Sequence, residues 1–387
     1  MTAIWQRLLR REQSLIRQDR NLIMVLLVAP VFYAFFYGSI YLHKSGQDIA
    51  VVVVDQDHTP WSREFIRSLD AHPLIRVQEV ATEVSAARKP LDALSACGVI
   101  VIPPGAYRRL CRQEAATVVV EINASRFLVA NDINKAVNEV AEETGRRFAE
   151  NALSRAGRPQ TMATPLAADL RTLANLTGSY GDFMLPGLLM LILQQTLLIG
   201  LAEGIGQERQ SGTLAEWLTE ADHRPWLAVM GKGTFYVLLY GGYAALFLTL
   251  HYSVFKLIQA GPWGSVVMLL AMFLICATSW AMLIGTFFSG KLQALQWSVF
   301  TSYPVFLLSG YSWPLQAMPH SLQVLAQLLP LTPFLQAFGR VTLLGADWTQ
   351  IMPELLHLVL LTALCFWAAG RRLAALSQSR LSPDRQE

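Results

Sequence analysis

The chain has 387 residues, of which 53% are hydrophobic and only 15% charged. Soluble domains carry about a quarter charged residues, so this composition excludes an ordinary soluble protein and points to the membrane class. The formal net charge of +3 is too small to imply nucleic-acid binding, and the basic residues inform through their positions instead.

Residues 1–21 form an amphipathic segment with Arg7, Arg10, Arg11, Arg17 and Arg20. An apolar run, 22–42, follows. It is longer than the apolar region of a secretory signal, and Gly38-Ser39-Ile40-Tyr41 offers no small-x-small cleavage site, so it predicts a retained anchor.

A polar stretch, 43–181, comes next. Residues 50–55 are a continuous apolar run ending in a turn, as in a buried strand. Thr59-Pro60-Trp61 opens a helix through 69, with proline in the first turn. Strands are expected at 75–80, 97–102 and 117–122, a short helix at 91–95 and a helical turn at 107–111. Alternating strands and helices predict a small α/β sheet domain. A long helix is expected over 125–156, where Ile133, Ala136, Val137 and Val140 recur at helical spacing. Asp55, Asp57 and His58 lie together, but Asp is favoured at a strand-end turn for backbone reasons, and no second cluster supports catalysis. If the domain is extracytoplasmic, Cys97 and Cys111 could pair or remain independent thiols.

Five more apolar stretches follow, at 183–202, 227–250, 263–288, 292–311 and 351–370. Each approaches the roughly 20 residues that a helix needs to cross a bilayer. The expected fold class is a polytopic α-helical membrane protein with six transmembrane helices and an α/β extracytoplasmic domain between the first and second. Lys and Arg concentrate on the cytoplasmic side. The arginines before residue 22 place the amino terminus there, and six crossings return the basic tail, 371–387, to the same side. Arg209, Arg224, Lys232 and Lys291 agree with this orientation, and Lys256 is the exception.

The loop 203–225 predicts a helix, a break and a second short helix. Gly204 and Gly206 interrupt the first helix, and Gly212 ends it. Thr213 with Glu216 has the form of a capping box. Leu214, Trp217 and Leu218 then share one face, as in an amphipathic helix at a membrane surface. By spacing alone this is either an ordinary interfacial loop or a surface on which a cytoplasmic partner acts.

Gln194, Gln195, Gln296, Trp297, Phe300 and Tyr303 could line a path through the spans, or the glutamines could serve helix contacts. A mostly apolar, aromatic lining suits hydrophobic or amphiphilic molecules. Residues 321–329 are too short to cross, and Pro330 and Pro333 break them from 334–344. Two such helices can dip into a membrane only where protein covers the broken backbone. Arg340 in this segment favours a headgroup or structural pairing over a substrate.

Two stretches together resemble one family. Glu208-Arg209-x-x-Gly212-Thr213-Leu214, with Leu218, resembles the signature loop of the type-2 ABC exporter permeases. Pro304, Leu308-Ser309-Gly310, Trp313-Pro314, Met318-Pro319, Leu329-Pro330-Leu331-Thr332-Pro333 and Arg340 resemble that family's fifth span and re-entrant segment. The insert after the first span is similar to the drug-exporter-like branch. One departure is Thr219-Glu220-Ala221-Asp222-His223-Arg224-Pro225, where the family often has a different proline-containing stretch. The resemblance implies a permease subunit in a bacterial inner membrane, moving a hydrophobic or amphiphilic molecule out of the cytoplasm or inner membrane. It implies cytoplasmic ABC ATPase subunits holding ATP and Mg, and a second permease chain, identical or different. It allows a periplasmic adaptor, places membrane lipids around the chain and involves no nucleic acid. Glu208, Arg209, Gly212, Thr213, Leu214, Trp217 and Leu218 would couple to the ATPase. The re-entrant segment, 314–345, with Ser309, Gly310, Pro314, Pro330, Pro333 and Arg340, would form the exit region.

No phosphate-binding loop, catalytic triad or metal-ligand spacing occurs in the chain, so no cofactor and no enzymatic activity are expected of it. The alternative is a membrane-anchored scaffold or receptor acting through the external domain, which has no use for a force-bearing helix after residue 212.

Overall fold

The chain divides into two units, one of Met1–Leu42, Leu173–Gly178 and Asp182–Glu387, the other of His43–Thr172 and Ser179–Gly181. The computed structural model describes residues 2–40, 48–93, 95–112, 114–122, 127–155, 180–257 and 259–381. The expected ends of the first span (41–42), of the long helix (125–126 and 156) and of the basic tail (382–387) lie outside the described residues.

Helix α1 spans Thr2–Gln18 and buries Leu8 and Ile16. Asp19 then caps the next helix by accepting from the amides of Asn21 and Leu22. That helix, α2, runs over Arg20–Ile40. It widens to a π turn over Met24–Val28, where the Ala29 amide bonds to the Met24 carbonyl, five residues back. Pro30 is the physical cause: it has no amide hydrogen for the carbonyl one turn earlier, and its ring needs the extra room.

In the second unit, β1 (Ile49–Asp55), α3 (Pro60–Asp70), β2 (Ile75–Ala81), α4 (Val84–Asp92), β3 (Gly98–Ile102), α5 (Ala106–Cys111) and β4 (Val119–Ile122) follow one another. The sheet order is β2-β1-β3-β4; β1 pairs parallel with β2 and β3, and β3 antiparallel with β4. Alternate residues of β1 enter opposite cores. Val51 and Val53 pack with Phe65, Leu69 and Ile100, whereas Val52 and Val54 pack with Ala87, Val99 and Val101. A strand buried on both faces reads as an unbroken apolar run, which is why 50–55 lacks alternation. The helix expected at 91–95 lies earlier, as α4. Helix α6 (Phe127–Arg155) adds Ile133, Ala136, Val137 and Val140 to the first core. Asp55 and Asp57 serve the backbone. Asp55 accepts from the amides of Asp57 and His58, both at 3.0 Å, and Asp57 from those of Gly105 at 2.7 Å and Tyr107 at 3.0 Å.

The remaining helices belong to the first unit, apart from Tyr180 and Gly181 at the start of the first of them. They are α7 (Tyr180–Ser211), α8 (Leu214–Glu220), α9 (Pro225–Ser253), α10 (Trp263–Gly285), α11 (Lys291–Leu308), α12 (His320–Gln327), α13 (Leu331–Leu344) and α14 (Met352–Leu381). Among the described residues, five helices are long and apolar enough to cross a membrane: Arg20–Ile40, Gly181–Ser211, Pro225–Ser253, Trp263–Gly285 and Met352–Ser377. The expected fifth span, 292–311, forms α11, 18 residues long, but Lys291, Gln293 and Gln296 in its first turns keep it out of that set.

The break expected at Gly204 and Gly206 is absent. Helix α7 runs unbroken to Ser211. Gly206 serves close approach instead: a Cβ there would lie 2.8 Å from the Gly290 carbonyl oxygen. Gly212, at φ +82°, takes the left-handed turn that ends α7. The capping box is also absent, because the Thr213 side chain makes no cap bond; its hydroxyl lies 2.9 Å from that of Ser211.

The segment 314–345 packs as two short helices around Pro330. Helix α13 is deeply buried, with Phe334 stacked on Phe273 at 4.0 Å and on Phe338 at 5.2 Å between ring centroids. Pro330 caps α13 and Pro333 falls in its first turn, where a missing amide hydrogen costs little. Arg340 pairs with Glu354 at 2.6 Å and donates to the Gln350 carbonyl. Ser309 donates to the Phe306 carbonyl at 2.6 Å, Gly310 turns at φ +79° and Pro314 opens a short 3-10 turn.

Candidate functional site

The charged residues at the far end of α7 meet those of α1, α8 and α9. Arg11 of α1 donates from Nη1 to Glu208 Oε1 at 2.5 Å and from Nη2 to the Thr213 carbonyl at 3.4 Å. Lys232 of α9 lies 2.7 and 2.8 Å from the two oxygens of Glu12 and 3.3 Å from Glu208 Oε1. Glu12, Glu208 and Lys232 are only 2%, 1% and 1% exposed. Two cations thus neutralise two carboxylates inside the protein, the condition under which buried charge is tolerated. Burial pushes the Glu12 carboxyl above the usual glutamate range, and the Lys232 ammonium pulls against that rise. Lys232 also lies 4.9 Å from the centroid of the Trp217 ring on α8. At the rim, Arg11 is 3.6 Å from Glu220, and Arg7 is 3.3 Å from Asp222. Burial raises the Glu220 carboxyl, with Arg11 opposing it.

A second set of charges holds the other side of α7. Lys291, opening α11, pairs with Glu203 at 3.1 Å and with Asp19. Burial would push the Asp19 carboxyl up, but the bonds from Lys291 and the Asn21 and Leu22 amides hold it below the usual range. Arg209 donates to the carbonyls of Thr286 at 2.9 Å and Phe288 at 2.6 Å, beyond the end of α10. Free carbonyls at a helix end carry partial negative charge, so a guanidinium is favoured there.

The expected coupling residues meet other parts of their own chain. Glu208 and Arg209 bind their own chain rather than standing free for a partner. Leu214, Trp217 and Leu218 are buried in the same core as Leu8 and Val229. The amphipathic face of α8 therefore packs inward. Its exposed side carries Ala215, Glu216 and Thr219, with Gly212 exposed at the preceding turn. Beside it is a recess of ≈ 420 Å³, lined among others by Ala215, Thr219, His223 and Leu376.

The expected path residues separate. Gln194 and Gln195 are buried within α7, and none of their side-chain amide atoms has a hydrogen-bond partner among the described residues. Gln296 and Trp297 are exposed on α11, as are Phe300 and Tyr303 at 71% and 68%. A groove of ≈ 550 Å³ lies between α7, α10, α11 and α12, lined by residues that include Leu198, Trp280, Trp297 and Leu325.

Sequence reasoning used Arg11 and Lys232 only for orientation and passed over Glu12. Two signals could have found them: a lysine inside the apolar stretch 227–250, and an acid within a basic segment. A charge among apolar residues calls for a partner.

Comparison with known proteins agrees with this architecture. The linearmycin resistance permease protein LnrN of Bacillus subtilis is 24% identical over 384 residues, covering 94% of this chain and 97% of its own length. The probable multidrug ABC transporter permease YbhR of Escherichia coli is 21% identical over 360 residues, 93% of this chain and 95% of its own. Residues 20–371 match the model of the family described as ABC-2 family transporter protein. Together with its apolar helices, this coverage means that the chain belongs to the ABC-2 transporter family and is a multi-pass membrane permease protein.

Proposed function

We propose that this chain is the membrane-spanning subunit of an ATP-driven exporter in a bacterial inner membrane, and that α8 receives the push of a separate cytoplasmic ATPase. The observation that carries this reading is the ionic joint of Arg11, Glu12, Glu208 and Lys232. It ties α1, α7 and α9 together beneath α8, so displacement of α8 moves three long elements as one. ATP and Mg belong to the partner, which docks on Ala215, Glu216, Thr219 and the adjoining recess. The arginines of α1 support a cytoplasmic position for this end of the bundle.

The cargo is a hydrophobic or amphiphilic molecule. The apolar groove beside α11 supports this class, and the relatives' names, for linearmycin resistance and multidrug transport, are in keeping with it. Helix α11 serves as the sixth crossing, with its exposed aromatic face turned to a second permease chain. The sheet-bearing unit lies outside the cytoplasm, where it gates the exit or meets an adaptor protein.

The test is to reconstitute the chain with its partner ABC ATPase and measure ATP hydrolysis and cargo efflux. Ala215→Trp should abolish efflux and cargo-stimulated hydrolysis while the protein still inserts at normal yield. Unimpaired efflux in that variant refutes the docking surface.

A further inference from the structure

A groove in the helical unit is formed by α9, α10 and α14. Its volume is ≈ 420 Å³, and its walls include Met230, Gly233, Leu238, Ile275 and Phe366. Four hydroxyls also line it. Three bond to carbonyls one turn back on their own helices: Thr234 to Met230 at 2.8 Å, Ser279 to Ile275 at 2.9 Å and Thr362 to Leu358 at 2.7 Å. The fourth, Thr278, is 2% exposed, and its hydroxyl has no partner among the described residues.

One end of this groove is built differently. The Trp226 ring lies 5.8 Å from that of Phe366. It sits so close to α14 that a Cβ on Gly370 would be 2.3 Å from it. Arg224 caps α9 two residues before Trp226. Arg371 follows Gly370, its guanidinium 5.3 Å from the Trp367 ring. Both arginines are exposed, and neither meets a carboxylate among the described residues. Tryptophan rings favour the headgroup level of a bilayer, and basic pockets between membrane helices attract anionic lipid headgroups.

We propose that this groove binds an anionic phospholipid of the surrounding bilayer. An acyl chain lies along α9, α10 and α14, and the phosphate sits between Arg224 and Arg371. The charge at one end selects against a zwitterionic lipid. The apolar wall supplies contact for the chain.

Native mass spectrometry of the full-length protein in detergent tests this, with dioleoyl phosphatidylglycerol and dioleoyl phosphatidylcholine offered at equal concentration. The wild type should retain the anionic lipid about tenfold more than the neutral one. Changing both arginines (Arg224→Gln with Arg371→Gln) should remove that preference. Gly233→Leu should reduce binding of both lipids by filling the groove. The backbone accepts a side chain there, since a Cβ would meet only Met282 Sδ at 3.5 Å and Thr278 Cγ2 at 3.6 Å. Equal retention of the two lipids by the wild type overturns the proposal without reference to any variant. Undiminished preference in the double variant overturns the assignment of the headgroup. Loss of self-association in Gly233→Leu, with lipid retention unchanged, would assign the groove to a second copy of the chain and overturn the proposal.

Discussion

The Nζ atom of Lys232 lies 2.7 and 2.8 Å from the two carboxylate oxygens of Glu12, a residue 220 positions earlier in the chain. The same ammonium is 3.3 Å from Glu208. One side chain therefore fastens α1 and α7 to α9. Removing it leaves Arg11 as the one cation facing two buried carboxylates, Glu12 and Glu208. Lys232→Met should cost about 3–5 kcal/mol, the usual penalty for an uncompensated buried charge. Thermal unfolding in detergent measures this. Adding Glu12→Gln to Lys232→Met, which leaves the Arg11–Glu208 pair in place, should recover part of the loss, and no recovery would mean that the lysine acts through packing alone.

Trp217 distinguishes folding from coupling. Its ring is buried against the chain's own core, so Trp217→Ala should destabilise the protein by about 3–5 kcal/mol. Glu216→Lys, on the exposed side of α8, should leave unfolding unchanged and lower ATPase-dependent efflux severalfold. A stable Trp217→Ala protein that is merely uncoupled would place the docking anchor back on the buried face.

Gly206 and Gly204 should respond differently to alanine. A Cβ at 206 meets the Gly290 backbone at 2.8 Å, which cannot move aside cheaply, whereas one at 204 meets only the Tyr236 hydroxyl at 3.9 Å. Gly206→Ala should cost about 1–3 kcal/mol by overpacking. Gly204→Ala should be neutral or slightly stabilising, because α7 is helical at both positions. Equal melting temperatures of the two variants would contradict the close approach.

Asp19 sets an acid limit. Its carboxyl is held below the ordinary value of 3.8. A depressed carboxyl contributes stability that is present above the unfolded-state value and disappears as pH falls through the folded-state value. The contribution should therefore be complete at neutral pH, begin to fade as pH falls past about 3.8 and be gone below the folded-state value, where protonated Asp19 no longer caps α2 or pairs with Lys291. Melting curves of the wild type and Asp19→Asn should converge there and diverge near neutrality. Parallel curves would show that Lys291 does not rely on Asp19.

The proposed meeting of two chains along the exposed side of α11 is testable by crosslinking. In a protein cleared of its native cysteines, single cysteines at 300 and 303 should crosslink between chains, and those at 194 and 195 should not. Crosslinks at 194 or 195 alone would assign the interface to α7.

Much of the architecture follows from local chemistry and was legible in the residues themselves. Apolar length marks five of the long helices, because a helix crossing lipid must satisfy its backbone internally and present apolar side chains outward. Gly212 announces the stop of α7, since its left-handed turn favours a residue without Cβ. The strand at Val51–Val54 shows in a run that neither face leaves to water. The sense of Gly206, the partners of Glu208 and Arg209 and the direction of the Trp217 face were settled only by tertiary packing. An amphipathic helix declares that something covers its apolar side without saying what. A glycine permits a break and a close approach equally well. Arg11 and Glu208 are separated by 197 positions, a distance at which an ion pair leaves no periodicity, motif or spacing. It exists because burial makes each of those charges costly until the fold brings its counterpart within reach.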